Sequence, residues 1–354
     1  MQIGLVGLSN SGKTTLFQLL TGTKESSYAP GKANRGIFKV PDSRVDYLSS
    51  MFKPKKTTHA TLEAIDIPGL IPGADKSTVS FLTSVRESDV LVHVIQDFDN
   101  PEAPHLEGTL DPLRDLELVT YELLLADLDQ IEKRLERMKK GKPGKDHDTE
   151  LALLAKCREA IEGEKLISSL SVSPQEEPFM HNYRFLTAKP YVVVVNLDEN
   201  RIADSDSYSS APISIYCKQH DIPLLFLSAR IESEISQLDG SDRQIFLEEL
   251  GIKESGLVLV SRLVYTRLGL ISFFTVGEDE VKAWTITGGT TAREAAGKIH
   301  SDIERGFIRA EVIEYKDFLQ AGSMAAARNE GTFRLEGKEY IVKDGDIVHF
   351  RFNV

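Results

Sequence analysis

Met1-Gln-Ile-Gly-Leu-Val-Gly7-Leu-Ser-Asn-Ser-Gly12-Lys13-Thr14-Thr15 runs from an apolar strand through G-x-x-x-x-G-K-T into the amphipathic helix pattern Thr15-Leu-Phe-Gln-Leu-Leu. This is a phosphate-binding loop in its proper setting. Gly7 and Gly12 permit backbone angles that a side chain blocks, so successive N–H groups converge on phosphates at the positive end of the following helix. Lys13 is expected to reach the β- and γ-phosphates and the Thr14 hydroxyl to ligate Mg²⁺. Gly7, Ser9, Asn10, Ser11, Gly12, Lys13, Thr14 and Thr15 form the candidate phosphate cradle. With the alternation of strands and helices that follows, an α/β fold with a parallel sheet built from βαβ units is expected.

The rest of the composition suits that class. With 354 residues and 41% hydrophobic side chains, the chain can bury a sizeable core and form two or three domains. No run approaches the ~18 consecutive apolar residues that span a bilayer, and the N-terminus enters a strand with no charged leader. A soluble, cytoplasmic protein with no membrane association is expected. Cys157 and Cys217 are too few for a disulfide framework and lack metal-site spacing. The formal net charge of -12 argues against nucleic-acid binding by the whole surface. A local basic stretch, Lys139-Lys140-Gly-Lys142-Pro-Gly-Lys145, remains a candidate RNA contact, with a solvated turn as the alternative.

Short β-rich runs alternate with helical patterns over the first hundred residues, with strands expected at 2–6, 60–65 and 90–95. After Pro112 the pattern becomes a long helix, with Tyr121, Leu124, Leu128, Ile131, Leu135 and Met138 recurring every three or four residues. A second helix from about Thr149 to Ser168 offers Leu151, Leu154, Cys157 and Ile161. Residues 112–180 thus read as an antiparallel helical hairpin with the lysine-rich turn at its tip. The sheet resumes at Tyr191-Val-Val-Val-Val195-Asn196, apolar on both faces, and at Pro223–Ser228. From Ile271 the text is β-dominated, a mixed α/β module of about eighty residues. The expected division is 1–111 with 181–270 for a nucleotide-binding G domain, 112–180 for the hairpin and 271–354 for a third domain.

Later segments complete the nucleotide site. Asp66-Ile-Pro-Gly69 follows a strand and has the D-x-x-G form, in which the carboxylate supports Mg²⁺ and the glycine N–H meets the γ-phosphate. Lys13, Asp66 and Gly69 are therefore the candidate catalytic groups, and Thr14 and Asp66 the candidate metal ligands. Asn196-Leu197-Asp198-Glu199 ends a buried strand where a base-recognition loop belongs, and Ser228-Ala229 after the next strand offers a backbone N–H to the base edge.

These segments and several others make the chain resemble the YchF subfamily of Obg-related P-loop NTPases over essentially its full length. The likeness is carried by Pro54-Lys-Lys56, Leu186-Thr-Ala-Lys-Pro190, Phe273-Phe-Thr-Val-Gly277, Val281-Lys-Ala-Trp-Thr285, Gly306-Phe-Ile-Arg-Ala-Glu311-Val and Tyr340 to Val354. The resemblance implies a G domain, an inserted helical hairpin and a C-terminal TGS domain, a fold associated with RNA or ribosome contact. It implies a monomer as well. Phe274, Trp284 and Phe307 are possible stacking groups in that last domain, with core packing as the alternative.

The base loop bears on substrate. Guanine-selective loops read N-K-x-D, whereas here Leu197 stands at the lysine position and Glu199 at the aspartate position. Adenine presents a lone pair at ring N1, where guanine presents an N–H, so a carboxylate aimed for guanine loses its partner. The family's N-x-x-E loop is known for accepting ATP as well as, or better than, GTP, and ATP preference or dual use is expected; a GTP-preferring GTPase is the alternative. Leu70 stands where many relatives place a water-orienting Gln, so slow turnover is expected. Asn10 matches a P-loop Asn that in some relatives helps hold K⁺, or is simply a turn former. The stretch Tyr28–Gly36 lacks the family's switch I Thr, and the glycine-rich second switch is shortened to Gly73-Ala-Asp-Lys-Ser-Thr78. Lys32 or Arg35 is a candidate source of charge for the γ-phosphate, with a solvated loop charge as the favoured alternative. Two functions stay open: an ATP-hydrolysing switch that docks on the translation machinery, and a nucleotide-sensing ribosome or RNA adaptor with negligible hydrolysis.

Overall fold

A computed structural model describes residues 1–23, 33–71, 75–101, 104–140, 146–202 and 205–353. In chain order the strands are β1 (Gln2–Val6), β2 (Asn34–Lys39), β3 (Lys56–Thr58), β4 (Thr61–Asp66), β5 (Val90–Asp97), β6 (Tyr191–Leu197), β7 (Leu224–Leu227), β8 (Leu270–Thr275), β9 (Glu280–Thr287), β10 (Phe307–Glu314), β11 (Arg334–Glu336) and β12 (Asp346–Phe352). The helices are α1 (Lys13–Thr21), α2 (Ser43–Phe52), α3 (Asp75–Glu87), α4 (Pro112–Lys140), α5 (His147–Glu162), α6 (Glu177–Tyr183), α7 (Pro212–Gln219), α8 (Ala229–Gln237), α9 (Gly240–Glu249), α10 (Gly256–Arg267), α11 (Ala292–Ile299), α12 (Ser301–Arg305), α13 (Tyr315–Ala321) and α14 (Met324–Asn329).

The expected parallel sheet is present, in the order β2-β4-β1-β5-β6-β7. The pairs β1–β4, β1–β5, β5–β6 and β6–β7 are all parallel. Because β1 lies between β4 and β5, the loops after β4, β1, β5, β6 and β7 leave one edge of the sheet, the edge where doubly wound folds bind ligands. All of β5 and β6 is buried, which is what a run apolar on both faces requires. The core joins Val6, Ile65, Leu91, Val193 and Val195 of the sheet to Phe81 and Val85 of α3 and Ile213 and Cys217 of α7.

The first turns of α4 belong to that same core through Leu116, Val119 and Leu123. The hairpin's own core begins further along, where Leu124, Ile131 and Met138 meet Leu153, Leu154, Cys157 and Ile161. Ion pairing of Arg134 with Glu150 and a hydrogen bond from Tyr121 to Glu164 set α4 and α5 antiparallel, as expected. Two seam assignments are corrected: Tyr121 and Leu151 are exposed, and the α5 position in the seam is taken by Leu153. Lys139 and Lys140 end α4, while residues 141–145 of the basic turn lie outside the described residues.

The chain forms two compact units, 1–38 with 63–260, and 39–62 with 261–354. The second unit includes residues 39–62 and 261–270, which the sequence-based division placed with the G domain. Within it, β3 pairs in parallel with β9, Arg44 of α2 is ion-paired with Asp42 and Asp344, and Phe52 stacks on Phe318. The apolar side of α2 finds its partners more than two hundred residues away, and nothing local in the sequence announces that. The unit's sheet runs β11-β10-β12-β8-β9-β3. Ala292, Ala295 and Ala296 of α11 pack on Phe273, Val312 and Phe350. Phe274 is wholly buried and Phe307 and Trp284 pack on this core, with the Trp284 indole N–H donating to Thr275 Oγ1 at 2.9 Å. All three are packing groups.

Candidate functional site

The loop from β1 to α1 is held in three left-handed or positive-φ positions: Gly7 (φ 149°), Asn10 (φ 68°) and Gly12 (φ 91°). A Cβ on Gly7 would lie 2.3 Å from the Val94 carbonyl oxygen, and one on Gly12 would lie 2.3 Å from Asn196 Nδ2. Only glycine fits either place. α1 begins at Lys13 with no side-chain cap, leaving its first N–H groups turned to the loop.

The D-x-x-G segment is bound directly to this loop. Leu70 N–H donates to Gly7 O at 3.1 Å and Ser9 N–H to Leu70 O at 3.2 Å, a short parallel bridge between Leu8 and Leu70. A Cβ on Gly69 would come within 2.7 Å of the Ser9 backbone. Asp66 ends β4, buried, with Oδ2 accepting from Thr14 Oγ1 at 2.9 Å. The Leu70 side chain is fully buried in the sheet core, so it faces apolar neighbours and not the loop.

Lys13 is 5% exposed, and its ammonium donates to Leu8 O at 2.6 Å and Ser11 Oγ at 3.4 Å. Burial pushes its pKa down to about 8, against the opposing pull of Asp66. A desolvated ammonium with two neutral oxygen acceptors is poised for an anion.

Asn196 ties the base loop to the phosphate loop. Buried at the end of β6, it donates from Nδ2 to Ser11 O at 3.2 Å and accepts at Oδ1 from Ala229 N at 2.9 Å. The Ala229 N–H is therefore committed to Asn196 and does not point at a base, a correction to the role expected for it. Ser228 Oγ is buried with no hydrogen-bond partner among the described residues. A cavity of about 800 Å³ extends from Gly12, Lys13, Thr14 and Thr15 to Asn196, Leu197, Asp198, Glu199, Ser228 and Ala229. Phe98, Asp99, Asn100 and Pro101 after β5 also line it, as do Arg230 and Ser233 of α8. These were not anticipated, although Phe98 follows a buried strand at the carboxyl edge, which is the signal that would have found it.

Asn10 stands at a left-handed turn position, and its amide nitrogen donates to Pro104 O at 3.2 Å. Arg35 is turned to Glu87 at 2.5 Å and Glu63 at 3.7 Å on the surface, which agrees with the favoured reading of a solvated loop charge and not with a phosphate contact. Tyr28, Lys32 and Gly73 lie outside the described residues.

Comparison with known proteins covers the whole chain. Residues 2–126 match the family model described as a 50S ribosome-binding GTPase, and residues 270–353 match the C-terminal YchF-GTPase model, described as a protein of unknown function. The chain is 43% identical to the ribosome-binding ATPase YchF of Bacillus subtilis over 99% of both chains. It is 41% identical to that of Haemophilus influenzae over the same shares, and 39% to that of Escherichia coli O157:H7, again over 99% of each. The solved Schizosaccharomyces pombe YchF GTPase is 31% identical, covers 99% of this chain with 97% of its own, and superposes with a TM-score of 0.87.

Proposed function

The chain belongs to the YchF family, and on that premise we propose that it is a nucleotide-switched ATPase that associates with the ribosome, its triphosphate held in the cavity between Lys13 and Glu199. The observation that carries this is the cavity itself. A buried lysine, a positive-φ glycine loop and a hydrogen-bonded Asn196 converge on one space of nucleotide size.

Each group has a definite task. The α1 N-terminus and the Ser9 to Thr15 backbone take the phosphates, and Lys13 balances their charge in a dry setting. Gly69 N–H serves the γ-phosphate. The Thr14 hydroxyl and the Asp66 carboxylate, 2.9 Å apart, are hard oxygen donors of the kind Mg²⁺ accepts beside phosphate oxygens and water. When bound, the ion would neutralise phosphate charge. Asn196 holds the base loop against the phosphate loop, while Leu197 and Phe98 wall the base. Leu70 lies in the core and cannot align water, so intrinsic turnover is slow and rests on phosphate positioning and charge.

Calorimetric titration with Mg-ATP and Mg-GTP tests the reading, with Lys13→Ala as control. ATP binding that is lost in the variant supports it; binding unchanged in the variant would place the nucleotide elsewhere. Phosphate release measured with and without ribosomes then decides between switch and adaptor, since the buried Leu70 favours an enzyme that needs a partner to turn over. Release that ribosomes do not raise would sink the switch.

A further inference from the structure

We propose that Arg230 is a specificity-determining residue of this site, acting through Glu199 to disfavour guanine. The proposal deepens the ATP reading and rests on it. Arg230 Nε lies 2.9 Å from Glu199 Oε2, and both residues line the base end of the cavity. Glu199 starts a single 3-10 turn after β6, and Arg230 sits in the first turn of α8. The two elements are tied together by Asn196, which bonds to both Ala229 N and Ser11 O. Arg230 is thereby placed relative to the phosphate loop as well as to Glu199.

Guanine presents two donors side by side, the ring N1–H and the 2-amino group, and one carboxylate reads both only with its two oxygens turned to the base. In this chain one oxygen of Glu199 faces a guanidinium. The Nε contact of Arg230 holds one oxygen of that carboxylate, and its positive charge faces the same donors that guanine would bring. Adenine makes a smaller demand: its 6-amino group needs a single acceptor, which Glu199 Oε1 supplies, and its N1 lone pair is not repelled by a cation. The longer Glu199 side chain is what lets its carboxylate meet Arg230, so the substitution at the aspartate position and the arginine act as one device.

The test is calorimetric titration of the full chain with Mg-ATP and Mg-GTP for the unaltered protein, Arg230→Ala, Arg230→Lys, Glu199→Gln and the double variant Arg230→Ala/Glu199→Gln. Arg230→Ala is expected to lower the ATP-to-GTP affinity ratio by about fivefold, the scale of an exposed ion pair, chiefly by tightening GTP. Arg230→Lys restores part of the ratio, and Arg230→Ala adds nothing in the Glu199→Gln background. A ratio for Arg230→Ala within about twofold of the unaltered protein, or an equal fall when Glu199→Gln is already present, overturns the proposal while leaving ATP binding intact. Failure of the unaltered protein to bind ATP, or equal binding by Lys13→Ala, instead overturns the nucleotide reading and this proposal with it.

Discussion

The proposed phosphate end and the proposed base end of the cavity are built differently. At the phosphate end, Lys13, Ser11 and Asp66 are buried, the glycines stand where no side chain fits, and the D-x-x-G segment is bonded to the loop through its backbone. At the base end, Glu199 and Arg230 are side chains at the rim, with Arg230 75% exposed. Buried, backbone-defined features resist change and fail abruptly, whereas exposed ion pairs are worth little in stability and adjust preference. Binding should therefore depend on the first end and discrimination on the second.

That contrast can be broken by experiment. The largest effect is expected for Lys13→Ala, a loss of roughly 100- to 1,000-fold in nucleotide affinity on the scale of removing a preorganised charged donor, read by calorimetry. Gly7→Ala should destabilise the fold by about 3 kcal/mol, because its Cβ meets a backbone carbonyl at an unfavourable φ; denaturant unfolding measures it. Asn196→Ala leaves Ser11 O and Ala229 N without their partner and should cost about 1–3 kcal/mol, appearing in both melting and affinity. A purely base-end role for Asn196 would spare stability and sink that expectation.

A pH titration sharpens the comparison further. Lys13 has a pKa of about 8 in the free protein, and bound phosphate must raise it by its charge. Nucleotide binding then takes up a proton above about pH 8, and affinity falls as pH rises, by up to about tenfold per unit. Calorimetry in buffers of different ionisation enthalpy detects the uptake; affinity flat from about pH 7.5 to about pH 9.5 would contradict it. The smallest effect is expected for Arg35→Ala, whose half-exposed pairs with Glu63 and Glu87 should move Tm by less than about 2 °C and leave phosphate release unchanged.

Much of the site was legible in advance because its chemistry is local. A strand, a G-x-x-x-x-G-K-T loop and a helix are contiguous, so Gly7, Gly12, Lys13 and Thr14 were readable from fifteen residues. Asp66 and Asn196 were legible as candidates because each closes an apolar run that had to be a buried strand, and both lie at the carboxyl ends of such strands. Arg230 was missed because its meaning depends on a contact with Glu199 that sequence order does not state, whereas Phe98 could have been found from its place after a buried strand. Leu70 was read as a residue that cannot orient water, and its full burial in the core agrees with that reading.

By itself the amino-acid sequence determined the class of fold, the phosphate loop, the helical pair after Pro112 and the family likeness, since periodicity and contiguous loop chemistry are properties of a few neighbouring residues. Tertiary structure alone decided that residues 39–62 pack with the C-terminal unit, that Ala229 N–H is taken by Asn196, that Arg35 is spent on two glutamates and that Arg230 faces Glu199. Those facts are pairings between distant segments, and a polar group's partner is known only when the chain has brought the two within hydrogen-bond reach.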